Sequence, residues 1–173
     1  MTEEPVVTTN TGINWSKAIL AGLIAGAIFM VLEMMLVPLI GGGSPWGPPR
    51  MIAAIGMGKD VLPPPADFAL VPLMVAMIIH FILSMIFGVI LAFAISRFSV
   101  GIAVLIGAIF GLALYFVNFY GFTAIFPWFA MARNGITIFT HIVFGAVAAY
   151  IYKLFVRTYE MSGNARQTSK GEN

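Results

Sequence analysis

A chain of 173 residues that is 60% hydrophobic and only 9% charged, with a mean hydropathy of +0.98, lies far from the roughly 25% charged residues of ordinary soluble domains. That balance calls for lipid rather than water as the solvent. The chain has no cysteine, which removes disulfides and thiolate metal sites, and its net charge of +2 is spread without a basic cluster, so nucleic acid is not an expected partner.

In chain order, residues 1–13 are polar and threonine-rich and read as a disordered cytoplasmic tail. Asn14 or Ser16 is placed to cap the first apolar run, with Trp15 and Lys17 as interfacial anchors. That run is longer than a signal-peptide core and lacks an A-x-A cleavage site, so it reads as a retained span. Four such runs, about 16–40, 70–95, 101–122 and 135–155, each supply the roughly 20 helical residues that cross a hydrocarbon core. An all-α four-transmembrane-helix bundle over residues 14–157 follows, with a second cytoplasmic tail over 158–173.

The connections have different characters. The link after the first run reads Gly41-Gly42-Gly43-Ser44-Pro45-Trp46-Gly47-Pro48-Pro49-Arg50 and later Leu62-Pro63-Pro64-Pro65. Pro49 suits a first helical turn and Pro63 to Pro65 stop a helix, so a short helix within 49–61 is expected on the outer membrane face. The few residues from Ser96 to Val100 force spans two and three into an antiparallel hairpin. Lys17, Arg97, Lys153, Arg157, Arg166 and Lys170 fall on one side, against Arg50, Lys59 and Arg133 on the other. The positive-inside rule then puts both termini in the cytoplasm.

The chain also repeats itself. Gly22-x-x-x-Gly26 followed by Glu33 matches Gly107-x-x-x-Gly111 followed by Asn118, and Pro45-Trp46 echoes Pro127-Trp128. Span two carries Phe87-Gly88 and span four Phe144-Gly145. Two parallel helical hairpins are expected. Equating the Phe-Gly pairs sets His141 opposite Ser84, whereas equating the histidines opens a gap of one helical turn; both registers stand.

Residues that carry chemistry are few. Gly22, Gly26, Gly107, Gly111, Gly88 and Gly145 form small-residue stripes, whose plain role is helix packing. Glu33, His80, Ser84, Asn118 and His141 are expected to form one polar layer in the outer half of the bilayer, where ionisable groups are rare and face an interior. Three uses compete for it. His80 and His141 on facing helices are the candidate ligands of a haem b. A metal held by both imidazoles and Glu33 lacks the supporting H-x-x-x-H and E-x-x-H motifs, so no metal site is assigned. The favoured use is a proton-sensitive polar cluster without a cofactor. No nucleophile is paired with a base: Ser44 lies in a glycine-proline link and Ser84 has no aspartate to orient its neighbour His80. The chain therefore reads as not an enzyme.

Gly22-Leu-Ile-Ala-Gly26, His80-Phe-Ile-Leu-Ser84-x-x-Phe87, Pro127-Trp128 and His141 resemble the YagU-like bacterial inner-membrane proteins. The stretch Ser44-Pro-Trp-Gly-Pro-Pro-Arg-Met51 is similar to one in other short four-span bacterial proteins. The resemblance implies a multi-pass inner-membrane location and extends the link of that family to acid tolerance. Glu33 and the long first link depart from the family pattern. The leading functional reading is a structural, accessory or stress-response membrane protein, partnered by the lipid bilayer and by copies of itself or a larger membrane complex. The alternatives are a small ion or solute transporter acting as a homo-oligomer and a haem-binding electron-transfer subunit.

Overall fold

The computed structural model describes residues 13–171 of the chain, so the expected N-terminal tail lies outside the described residues but for its last position. The fold is all-α, with no strand among the described residues. Helix α1 spans Trp15–Ile40, α2 Gly47–Met57, α3 Leu70–Ile95, α4 Val100–Phe116 and α5 Gly135–Gly171. Helix α4 runs on through a π turn, Val117–Gly121, and a 3-10 turn, Phe122–Ala124. Four helical segments are long and apolar enough to cross a membrane: Trp15–Ile40, Leu70–Ile95, Val100–Ala124 and Gly135–Thr158. The expected spans lie within them or coincide with them. The stretch from Thr158, read as a tail, continues α5 to Gly171; it holds no proline and is supplied with good helix formers such as Ala165, Arg166, Gln167 and Lys170.

Local signals set the helix starts. The Asn14 side chain accepts from the Lys17 N–H at 3.2 Å, and Asn134 does the same for α5 through the Thr137 N–H at 3.0 Å, each satisfying a donor the first turn leaves open. The short helix expected outside the spans is α2, with Pro48 and Pro49 in its first turn. It buries Pro49, Ala53 and Ala54 chiefly against α3.

The four long helices pair as α1 with α3 and α4 with α5, and glycines form both seams. Gly22 lies against Ser84 and Gly88, Gly26 against Ser84 and His80. In the second pair Gly107 lies against Gly145 and Ala149, and Gly111 against the His141 carbonyl. These contacts resolve the register of the repeat. His80 corresponds to His141, Ser84 to Gly145 and Gly88 to Ala149, with the extra helical turn accommodated elsewhere. The register that equated the Phe-Gly pairs does not describe the seams.

The two hairpins are joined unevenly. Helices α1 and α5 pack closely along the middle of the bundle, whereas α3 and α4 touch little beyond their short connection. One end of the bundle gathers the start of α1, the α3–α4 turn and the late part of α5: Trp15 meets Phe93 edge-on at 5.3 Å, Lys17 lies over the Phe155 ring, and the Lys153 ammonium donates to the Ser96 carbonyl at 3.1 Å. The other end is roofed. Trp128 donates from Nε1 to the Met51 carbonyl at 3.0 Å, tying the 3-10 segment Pro127–Ala132 to α2. Arg50 donates to the Val61 and Asp67 carbonyls, and Arg133 donates from Nε to the Phe119 carbonyl at 2.7 Å, a cation placed where the α4 extension leaves carbonyls unpaired.

Candidate functional site

Every residue expected in the polar layer is placed in the roofed half of the bundle, but in two compartments rather than one. Glu33, His80, Ser84 and His141 are buried, and Asn118 is half-buried. Phe29 of α1 lines both compartments, as do Ile52, Phe119 and Phe129. The Phe29 ring stacks on the His80 imidazole at 5.5 Å and meets the His141 imidazole edge-on at 4.8 Å.

The first compartment is an apolar cleft of about 250 Å³ between α3 and α4, roofed by Ile52 and Ile55 of α2. His80, Ser84, Asn118 and His141 supply its polar groups. Hydrogen bonding fixes both tautomers, because a backbone carbonyl can only accept. His80 donates from Nε2 to the Gly26 carbonyl at 2.9 Å, which leaves Nδ1 of the neutral ring as an acceptor. His141 donates from Nδ1 to the Thr137 carbonyl at 2.8 Å, so its Nε2 accepts from the Asn118 amide at 3.3 Å. The π turn at Val117–Gly121 carries Asn118 itself, in keeping with the use of such bulges at functional positions. It also presents Phe119 edge-on to His141 at 5.4 Å.

The second compartment, of about 230 Å³, lies beneath the link after α1 and the start of α5, and Glu33 lines it with Ser44, Asn134 and Thr137. The sequence left open whether Glu33 meets His80 or His141, and its hydrogen bond goes to neither. That bond comes from the Thr140 hydroxyl, because α1 packs against α5 on the side where Thr140 projects, one residue around the helix from His141. The second carboxyl oxygen has no partner among the described residues. No fully enclosed side-chain oxygen or nitrogen lacks one, so this oxygen opens to the compartment.

Thr140, which is completely buried, is the residue that sequence reasoning passed over. A second threonine one helical turn after Thr137, next to His141 in an apolar span, was the available signal. Its single proton has two acceptors within reach, Glu33 and the Thr137 carbonyl at 3.1 Å, and that same carbonyl accepts from His141. Glu33, Thr140, the Thr137 carbonyl, His141 and Asn118 are therefore linked by successive contacts along α5 from one compartment to the other, in which the Thr140 proton serves either Glu33 or the Thr137 carbonyl at one time.

The arrangement bears on the cofactor readings. Both Nε2 atoms are engaged within the protein and Phe29 occupies the space between the rings; a haem held by the Nε2 atoms of His80 and His141 requires Phe29 to move and both bonds to break. Among the described residues no group of three or more His, Cys, Asp or Glu is placed to hold a metal ion. No protein-family model, curated protein or solved structure matches the chain.

Proposed function

We propose that this four-helix membrane protein is a non-enzymatic accessory or stress-response module of the bacterial inner membrane, in which protonation of Glu33 is transmitted to the His141–Asn118 pair. The carrying observation is the run of contacts just described. When Glu33 is ionised, the Thr140 hydroxyl serves it as donor. When Glu33 is protonated, its own O–H can donate to Thr140, whose proton then turns to the Thr137 carbonyl and competes there with His141. A change of one proton in the Glu33 compartment thus alters the hold on His141 in the cleft. The resemblance to the acid-tolerance-linked YagU-like proteins points the same way. Self-association within the membrane, or assembly with a larger membrane complex, completes the proposal.

Glu33→Gln tests it. Glutamine keeps the shape and the acceptor for Thr140 but cannot titrate, so the variant is expected to fold with an unchanged thermal midpoint at neutral pH while the His141 imidazole NMR signals lose the step that follows Glu33 and keep only the ring's own titration. An unaltered pH response in Glu33→Gln overturns the coupling.

The orientation is tested separately. Both termini are proposed to be cytoplasmic on the strength of the six-to-three charge bias. Reporter fusions at Arg97 and Lys59 are expected on opposite sides of the membrane, Arg97 inside; finding both on one side removes the topology.

A further inference from the structure

The geometry points to the cleft between α3 and α4 as a binding site for a lipid-soluble ring bearing hydroxyl groups, the chemistry of a quinol. This inference rests on the reading of the chain as membrane-spanning and deepens the assignment of the His80, Ser84, Asn118 and His141 group.

Three observations carry it. The first is an unspent acceptor in a dry place. His80 is 8% exposed, its Nε2–H is committed to the Gly26 carbonyl, and its Nδ1 has no partner among the described residues. No fully enclosed nitrogen lacks one, so Nδ1 opens into the cleft that His80 lines. Because His141 fixes the Asn118 amide nitrogen as a donor, the Asn118 carbonyl oxygen is a second acceptor, again without a partner among the described residues. Two acceptors favour a ligand that donates, while the Ser84 oxygen lies 3.5 Å from the His80 Nε2 and its hydroxyl can serve a ligand in either sense. An anionic head group finds no lysine or arginine in the lining.

The second observation is the wall. Phe29, Phe87, Phe119, Phe129 and Phe144 line the cleft, and aromatic side chains favour an edge-on or offset ring as neighbour. The volume of about 250 Å³ is just under the roughly 300–1,000 Å³ of drug-sized sites. It suits a single ring head with its tail left outside.

The third is the way in. Leu83 of α3 and Phe122 after α4 line the cleft yet remain 38% and 43% exposed, so they form its rim on the outer surface of the bundle, at the depth of the spans. A ligand dissolved in lipid enters sideways between α3 and α4, and its apolar tail stays in the bilayer.

The test uses the purified full chain in mild detergent, with decyl-benzoquinol kept reduced under anaerobic conditions as probe, the unfolding midpoint as readout and the dimethyl ether of the same quinol as control. Decyl-benzoquinol is expected to raise the midpoint saturably, as mass action requires. The ether, which cannot donate, is expected to bind roughly tenfold more weakly. Leu83→Trp and Phe122→Trp close the rim from opposite sides at exposed positions, and each is expected to abolish the shift while keeping its own midpoint near that of the parent. The absence of any shift, equal shifts from quinol and ether, or shifts that persist in both rim variants overturn the site. Efficient disulfide cross-linking of Leu83→Cys between copies in native membranes also overturns it, by assigning the cleft to a second copy of the chain. Failure on any of these counts leaves the topology and the Glu33 coupling to their own tests.

Discussion

Gly145→Leu is expected to destabilise the second hairpin by about 3 kcal/mol or more, at or above the upper end of ordinary overpacking. A Cβ at Gly145 would stand 2.8 Å from the Gly107 carbonyl carbon and from the Gly111 nitrogen. These are backbone atoms of a facing helix, which cannot swing aside as a long side chain does. The only relief is to part α4 from α5, and that pulls the His141 carbonyl off Gly111 and Asn118 off His141. The damage is therefore not confined to packing. Gly111→Leu and Gly26→Leu are expected to act alike, the second somewhat more mildly because a Cβ at Gly26 meets the Ser84 side chain at 2.7 Å. Gly101→Ala is the control: nothing lies within 4 Å of its added carbon, and the effect is expected to stay within about 1 kcal/mol, on the stabilising side. Thermal unfolding in mild detergent reads all four. A midpoint for Gly145→Leu equal to that of Gly101→Ala would mean that the seam is not the close contact described.

The seams were legible in the sequence because small residues at i and i+4 have one efficient use between apolar helices. The spans were legible for an equally simple reason, since few charges interrupt them. Three features were not legible, each for its own cause. Both repeat registers kept the histidines on equivalent faces, so helical periodicity had no means of choosing between them; only the Gly107 contact with Gly145 does so. The partner of Glu33 depended on which helix α1 packs against. Hairpin connectivity pairs α1 with α3, but the additional packing of α1 on α5 hands the carboxyl to Thr140 instead of His80. The uneven spacing of the hairpins came from no local signal at all. A symmetric duplication would join α3 to α4 as tightly as α1 joins α5. Here the π turn at Val117–Gly121 and the phenylalanines around it fill one side of that junction with rings and leave a cleft.

Phe29 gives the two compartments their relation. It lines both, stacked on one imidazole and edge-on to the other, so this ring and the successive contacts along α5 lie side by side. Polar groups are connected through the backbone of α5 where the cavities themselves are kept apart.

The last expected result concerns the link in that chain. Thr140→Val keeps the volume and branching of the side chain but removes its hydroxyl at a site with no exposure. The carboxyl oxygen of Glu33 that the hydroxyl served is then enclosed without a donor, and an unsatisfied buried group costs about 1–3 kcal/mol, more when charged. Thr140→Val is accordingly expected to lose about 2–3 kcal/mol. Thr140→Ser, which gives up only a methyl group, is expected to lose about 1 kcal/mol. The asymmetry between losing one partner and losing both supplies the stricter check. With Glu33→Leu added, no enclosed carboxyl remains to be satisfied, so the double variant is expected to recover most of the stability. The resulting coupling between positions 33 and 140 is expected to lie in the range of about 0.5–3 kcal/mol that touching residues show. Additive single effects would mean that Thr140 and Glu33 are not partners in the membrane, and the route from Glu33 to His141 would fall with them.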